Sequence, residues 1–159
     1  MIFIGIDNGV SGSIGIIYGE GYYLYAPIPV KRELNYTKTK KWIHRIDINK
    51  LRILLPTSKP EILVGLERPM VNPGRFQATA SALRALESTL ILLEELEFPY
   101  RYLDSKEWQK SLLPKDLKGE ELKEASLSIG KRLFPSIDFK GFKDADGLLI
   151  AEYLRRTQK

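Results

Sequence analysis

The sequence predicts an α/β fold in which a mixed sheet, three antiparallel strands followed by parallel strands, is flanked by helices. Two observations carry this prediction. Three short β-type segments joined by glycine-containing turns open the chain, and apolar strands then alternate with long amphipathic segments. With 159 residues and no linker-like or repetitive segment, residues 1–159 are expected to form a single domain.

The three opening strands, 2–7, 13–18 and 22–28, are separated by short glycine turns, which favours an antiparallel meander. The polar, lysine-rich stretch that follows, up to Lys41, is expected to be an exposed loop. A helix is expected over 42–55, where apolar residues recur at roughly helical spacing before a proline.

In the remainder of the chain, short apolar strand-like segments alternate with longer segments of helical spacing. Segment 62–67 is a short apolar strand that ends on an acid, and 76–96 has leucines and alanines at steps of three and four residues. The further predicted elements are a strand at 100–103 and helices at 105–112, 118–134 and from about 142 onward. This order predicts a mixed sheet covered by helices, but it leaves many α/β folds open.

Positive charge is concentrated in one segment. The net charge is +5, and residues 31–52 hold eight Lys or Arg against two acids, which leaves about −1 for the rest. Such a segment indicates a polyanionic partner, because neutralising phosphates releases counterions. The candidate phosphate contacts in it are Lys38, Lys40 and Lys41, and a solvated surface stretch is the alternative.

Composition excludes several classes of site. The absence of cysteine excludes disulfides and thiolate metal ligands, and it is compatible with a reducing cytoplasm. No run approaches the ~20 apolar residues of a membrane span, and the first residues contain no basic leader, so no membrane partner is expected. The one histidine, His44, lies among cations and is expected to be solvated or to contact phosphate.

Three acids stand where predicted elements end or begin. Asp7 ends the first strand, Glu67 ends the fourth, and Asp146 lies near the start of the last helix. If strands one and four are adjacent, the three meet at one edge and form a hard-oxygen site suited to Mg²⁺ or Mn²⁺. Each acid alone could instead be a turn, a cap or a surface charge. That alternative is weaker at apolar strand ends, since burying an unpaired charge is costly.

Four short motifs surround these acids: IGIDNG at 4–9, GSIG at 12–15, VGLERP at 64–69 and DADGLLIA at 144–151. In order and spacing they resemble the motifs of RuvC-type Holliday-junction resolvases, nucleases of the RNase H-like superfamily, and especially those of the compact phage-type branch. The resemblance spans nearly the whole chain. Each motif alone is weak, because Gly-Ile-Asp-x-Gly also opens other proteins of related fold.

The resemblance implies an RNase H-like fold and a homodimer that cuts branched DNA in the cytoplasm of a bacterium or a phage-infected host. Each subunit would hold two Mg²⁺ ions, for which Mn²⁺ may substitute, about 3.5–4 Å apart, and would nick one of two symmetry-related strands. In the family the first-strand acid, here Asp7, bridges both ions, while Glu67 and Asp146 share the rest.

A fourth ligand departs from the family pattern. The family places Asp or His three residues before the last Asp, but that position is Lys143 here and the acid is at Asp144. Two positions on a helix differ by about 200°, so Asp144 can serve beside Asp146 only if the helix starts late. Asp144 is expected as the fourth ligand, and Lys143 as either a phosphate contact or an ordinary surface lysine.

Further DNA contacts are expected on both sides of the site. The linker after Glu67 carries Arg68, Arg75 and Phe76. Related enzymes place an aromatic residue near this point to stack on bases, although Phe76 could instead pack under the helix start. The segment from 105 onward resembles a second basic region of the family, with Lys106, Lys110 and Lys118 as phosphate contacts, and Trp108 in it is expected in the core.

The expected substrates are four-way junctions and possibly flaps or forks. Two alternatives remain: a junction-binding module that is catalytically weak because its fourth ligand is displaced, and an RNase H-fold nuclease acting on RNA/DNA hybrids. Helix 76–96 is apolar around more of its surface than one core contact requires, which favours a homodimer. The alternative is that the terminal helices cover this second face.

Overall fold

A computed structural model describes residues 1–19, 21–57 and 61–158. Within these residues the strands are β1 (Ile2–Asp7), β2 (Ser13–Gly19), β3 (Tyr22–Pro27), β4 (Val30–Leu34), β5 (Trp42–Ile46), β6 (Ile62–Glu67) and β7 (Tyr100–Leu103). The helices are α1 (Ile48–Leu54), α2 (Phe76–Glu95), α3 (Ser105–Leu112), α4 (Gly119–Leu133) and α5 (Asp146–Thr157), and a 3-10 turn, Pro73–Arg75, precedes α2. No helix in these ranges is both long and apolar enough to cross a bilayer.

The main sheet has the strand order β3-β2-β1-β6-β7. The first three strands form an antiparallel meander, while β6 pairs parallel with β1 and β7 pairs parallel with β6. The predicted mixed sheet is therefore confirmed, and the first and fourth strands of the sheet are adjacent, which is the condition under which the acids can meet at one edge.

Each face of the sheet has its own core, because successive side chains of a strand point to opposite faces. Ile4 and Val64 belong to a cluster that includes residues of α1 and α2. Phe3 belongs to the other cluster, with the buried side chains of α3 and α5. Along β1 the residue two positions after Gly5 is Asp7, so the strand directs this acid to the face that α5 covers.

Helix α5 lies unusually close to the sheet. A β-carbon at Gly5 would lie 2.1 Å from the backbone oxygen of Gly147, and one at Gly15 would lie 2.3 Å from the backbone nitrogen of Leu148. Real β-carbons do not approach backbone atoms so closely. Glycines in β1 and β2 therefore allow the first turn of α5 to rest directly on the strands, and this turn begins with Asp146.

The expected helix over 42–55 is wrong in its first half, and the expected loop before it is wrong in part. Val30–Leu34 and Trp42–Ile46 pair as an antiparallel hairpin separate from the main sheet, and only Ile48–Leu54 is helical. The helix begins where it does because the Asp47 side chain accepts a hydrogen bond from the backbone N–H of Lys50. Apolar residues of a strand and of the next helix had combined to imitate one helical spacing.

The last helix begins at Asp146, not near Phe142 as expected. The preceding chain turns at Gly141, whose φ of 84° favours glycine. The Asp144 side chain then accepts a hydrogen bond from the backbone N–H of Asp146 at 3.3 Å. This late start is the condition under which Asp144 and Asp146 can lie in one site.

Candidate metal centre

Strand register places Asp7 beside Glu67. Strands β1 and β6 run parallel with Ile6 opposite Leu66, and the two acids follow next in their strands. Both acids stand at the carboxyl edge of the sheet, and both continue the series of side chains that face α5. The sheet therefore brings together two acids that are sixty residues apart in the sequence.

The other two acids come from the start of α5. Asp146 is its first residue, and the hydroxyl of Ser126 in α4 donates a short hydrogen bond to the Asp146 carboxylate. The same hydroxyl accepts the backbone N–H of Ala145 at 3.0 Å. Ser13, which pairs with Asp7 across β1 and β2, accepts the backbone N–H of Gly147 at 3.0 Å. These hydrogen bonds fix the helix start against the sheet edge.

Asp144 is positioned from the side by an aromatic residue. The Tyr25 hydroxyl donates to the Asp144 backbone oxygen at 2.9 Å and lies 3.3 Å from its carboxylate. The Tyr25 ring packs against Phe142, with ring centroids 4.5 Å apart. The segment before α5 is thereby held on β3.

Three carboxylates converge as a result. One oxygen from each of Asp7, Asp144 and Asp146 lies within 4.8 Å of the others, and each residue is partly buried. Burial and mutual repulsion raise the pKa of Asp7 well above its usual value and that of Asp146 to about 7. A divalent cation would relieve both effects, and three hard oxygens suit Mg²⁺ or Mn²⁺.

Glu67 lies at the border of this cluster. Its negative charge contributes to the raised pKa of Asp7 and of Asp146, so it is electrostatically part of the site. Burial raises the pKa of Glu67 itself, while the indole N–H of Trp108 donates to its Oε2 at 2.7 Å and lowers it. Trp108 is fully buried, as expected of a core residue, but it also holds an acid of the site.

A cleft of about 460 Å³ opens over the carboxylates. It is lined by Asp7, Asp144 and Asp146 together with two cations, Lys123 and Lys143. The positive charge of Lys123 lowers the pKa of Asp146. An anion entering the cleft would therefore meet two cations beside the carboxylates.

The other expected DNA contacts lie at three places on the surface. Lys38, Lys40 and Lys41 are exposed in and beside the loop that joins β4 to β5. Arg68, Arg75 and Phe76 are exposed between β6 and the first residue of α2, and Phe76 is 72% exposed, which excludes packing under the helix. Lys106 and Lys110 line a separate cavity of about 480 Å³ with Lys115, and Lys118 is exposed just before α4.

Sequence reasoning missed the residues that position the acids. Ser126 carries one recognisable signal, since it is a hydroxyl on the apolar side of α4, in helical step with Leu122 and Leu133. Tyr25 and Ser13 carry none, because their roles depend on contacts with residues 119 and 134 positions away.

Comparison with known proteins identifies the fold. No family model and no curated protein matches the sequence. The structure matches T. thermophilus RuvC in complex with a Holliday junction substrate with a TM-score of 0.63 and 15% identity, over 99% of this chain and 97% of that one. It also matches a second structure of Thermus thermophilus RuvC with a TM-score of 0.58 and 15% identity, over 98% and 96% of the two chains. The chain has a RuvC-like α/β fold, which confirms the resemblance at the level of fold.

Proposed function

We propose that this protein is a divalent-metal-dependent endonuclease that cleaves Holliday junctions and other branched DNA by two-metal hydrolysis of a phosphodiester. The observation that carries the proposal is the convergence of Asp7, Asp144 and Asp146 at the edge of a RuvC-like sheet. A neighbour of the same fold was solved with a Holliday junction substrate, which supports this substrate class.

Asp7, Glu67, Asp144 and Asp146 would hold the ions, Mg²⁺ or Mn²⁺. Such ions polarise a phosphate and lower the pKa of a bound water, which is the chemistry that phosphodiester hydrolysis needs. The chain supports that chemistry by orientation: Trp108 holds Glu67, and Ser126 holds Asp146. Lys143 and Lys123 line the cleft and would contact the phosphate to be cut.

The catalytically weak alternative loses its main argument. It depended on Asp144 facing away from Asp146 on a regular helix, whereas α5 begins at Asp146 and Asp144 lies within the carboxylate cluster. We therefore propose an active enzyme with four acidic ligands.

A homodimer is part of the proposal, because paired nicks in a four-way junction need two identical sites. Helix α2 has two exposed large apolar residues on one side: Leu83 is 43% exposed and Ile91 56% exposed. The C-terminal helix α5 packs on β1 and β2 with the second core, so it does not cover these two residues.

A substrate panel tests the activity. We expect purified protein with Mg²⁺ to nick a labelled four-way junction, and to cut a flap more slowly, while a linear duplex stays intact and EDTA abolishes all cleavage. Uncut branched substrates in Mg²⁺ and in Mn²⁺, or faster cleavage of an RNA/DNA hybrid than of the junction, would overturn the proposal.

A further inference from the structure

The β4–β5 hairpin, residues 30–46, is an appendage that the metal site does not use. We call it the arm. It contains six Lys or Arg and one acid, so its net charge of +5 equals that of the whole chain and the remaining residues sum to zero. A surface that holds the entire excess charge of a protein is suited to a polyanion.

The arm starts at the edge of the sheet that carries the acids. Asp7 pairs with Ser13, and Ser13 pairs with Pro27, the last residue of β3. Pro27 also lines the cleft over the carboxylates, and β4 begins three residues later. With five-residue strands the arm extends about 17 Å from this base. A nucleic acid bound along the arm therefore leads towards the metal site.

The two faces of the arm differ. On the inner face Glu33, Ile43 and Arg45 are partly buried and border a cavity that also includes Arg84 of α2, and Glu33 forms a short ion pair with Arg45. At the base, the backbone N–H of Asp47 donates to the Pro29 oxygen at 2.8 Å. Strand β5 also packs against α2, so the outer face of the arm is a defined surface.

The outer face carries an exposed aromatic platform. Trp42 is 57% exposed, pairs with Leu34 across the hairpin, and has the Arg32 guanidinium 4.6 Å from its ring centroid. His44, the next outward side chain on β5, is also exposed. The guanidinium lies over one face of the indole, and the ring is still more than half exposed, so a nucleobase can stack on it.

The tip of the arm presents a second aromatic residue. Tyr36 is 96% exposed, yet the turn around it is ordered by hydrogen bonds. The Asn35 side chain accepts from the Thr37 hydroxyl at 2.8 Å and from the Lys41 backbone N–H at 3.1 Å. Lys38 and Lys40 occupy the same turn. An ordered turn that holds a fully exposed ring among lysines is not explained by packing within the chain.

We propose that the arm binds unpaired nucleotides, with Tyr36 and Trp42 stacking on bases and Lys38, Lys40 and Lys41 contacting the phosphates. Lysines alone would suffice for duplex phosphates, whereas exposed rings need base faces that a duplex keeps stacked. This inference rests on the proposed function, because the unpaired nucleotides would be those that a branch point exposes beside the metal site.

The chain provides its own reporter of stacking. It has two tryptophans, of which Trp108 is fully buried and Trp42 is exposed. In EDTA, so that no strand is cut, a short oligothymidylate should quench the emission of Trp42, and Trp42→Phe should abolish the quenching. Quenching that persists in Trp42→Phe, or none at saturation, would contradict stacking on the arm.

Affinities for the same oligothymidylate and for a duplex of equal length are compared in order to distinguish contacts to bases from contacts to phosphates. Tyr36→Ala should weaken single-strand binding roughly tenfold and leave duplex binding nearly unchanged. Neutralising the three lysines should weaken both and flatten their salt dependence. The matched control is Tyr22→Ala, which removes an exposed ring at the other end of β3 and should change neither.

Two outcomes overturn the proposal. In the first, Tyr36→Ala binds the single strand as tightly as the wild type and keeps the wild-type oligomeric mass. In the second, its affinity is also unchanged but its oligomeric mass differs, which would make the arm a contact between proteins. Junction cleavage in Mg²⁺ is measured on the same variants. If cleavage persists and single-strand binding does not depend on Tyr36, the arm proposal fails and the proposed nuclease stands.

Discussion

The hydrogen bond from Trp108 to Glu67 predicts a measurable role for a core residue at the proposed metal site. Trp108→Phe keeps an aromatic ring in the core but removes the N–H that holds the Glu67 carboxylate. Loss of such an orienting partner weakens metal affinity or activity by about 10–100-fold. We therefore expect the Mg²⁺ concentration for half-maximal cleavage to rise by about that factor.

The control is Phe134→Leu, which disturbs the same buried cluster without touching an acid. It should lower stability with little effect on the Mg²⁺ requirement. Equal Mg²⁺ requirements in Trp108→Phe and Phe134→Leu would show that Trp108 acts through packing alone.

The raised carboxyl pKa values predict how metal stabilisation depends on pH. In the metal-free protein the pKa of Asp146 is about 7, above its unfolded value. The protonated acid favours the folded state most at low pH, and this contribution is lost as pH rises through 7. The affinity for the metal rises over the same pH range because protons no longer compete for the carboxylate oxygens.

The increase in Tm caused by Mg²⁺ should therefore be larger at pH 8 than at pH 6. Each tenfold gain in apparent affinity adds about 1.4 kcal/mol, or about 3–6 °C for a chain of this size. Asp146→Asn should reduce this pH dependence, and the raised pKa of Asp7 should account for what remains. A Tm increase that is equal at both pH values, or larger at pH 6, would contradict this account of the site.

At the residue scale the sequence indicated acids that could meet at one edge of the sheet, but not the residues that hydrogen-bond to them. Asp7 and Glu67 were recognisable because each ends an apolar strand, where an unpaired charge would be costly. Asp144 could be predicted as a ligand only on the condition that the last helix starts late, because its position relative to Asp146 depends on where α5 begins. The hydrogen bond of Trp108 joins residues 41 positions apart, and no local pattern marks it.

At the scale of elements, the docking of α5 on the sheet is the feature on which the site depends most. Gly15→Ala would place a β-carbon 2.3 Å from the backbone nitrogen of Leu148, and a helix backbone cannot yield as a flexible side chain does. We expect a loss of about 1–3 kcal/mol in the free energy of unfolding, measured by denaturant titration, together with a large loss of cleavage.

Gly19→Ala is the matched control, since a β-carbon there would meet nothing within 4 Å. It lies in the same strand and should be nearly neutral in both assays. A Gly15→Ala protein as stable and active as Gly19→Ala would show that the close approach of α5 is not required.

The elements that the sequence predicted well are those with one dominant period, such as α2 and the strands of the meander. The arm was missed because its apolar residues are few and its lysines resemble those of a loop. Five cross-strand pairs, from Val30–Ile46 to Leu34–Trp42, make the two halves strands, and Ile46 is the one buried residue among them. The paired residues are not related by the spacing of a helix or of a short turn, so the spacing of apolar residues in the sequence could not predict the pairing.

For the whole molecule, the expected assembly is a dimer through α2. Leu83 and Ile91 lie within about 80° of each other around the helix, with Glu87 between them. Light scattering at micromolar concentration should give twice the chain mass of 18.2 kDa. Replacing Leu83 and Ile91 by Asp should give the monomer mass, because like charges would then face each other across the interface.

Ile53→Asp controls for the loss of any exposed apolar residue, since Ile53 is exposed on α1. It should leave the dimer intact. A wild-type mass of 18.2 kDa that persists when junction DNA is added would contradict the dimer, and with it the coordinated cutting of two strands.

The central claim is that the carboxylate cluster around Asp7 is a catalytic metal site, and Asp7→Asn tests it most directly. The substitution removes one ligand charge and leaves the basic surfaces unchanged, so junction binding should persist or strengthen. Nicking of a labelled four-way junction in saturating Mg²⁺ should fall below detection. Binding at least as tight as that of the wild type with no cleavage is the predicted result, and substantial Mg²⁺-dependent nicking by purified Asp7→Asn protein would contradict the account.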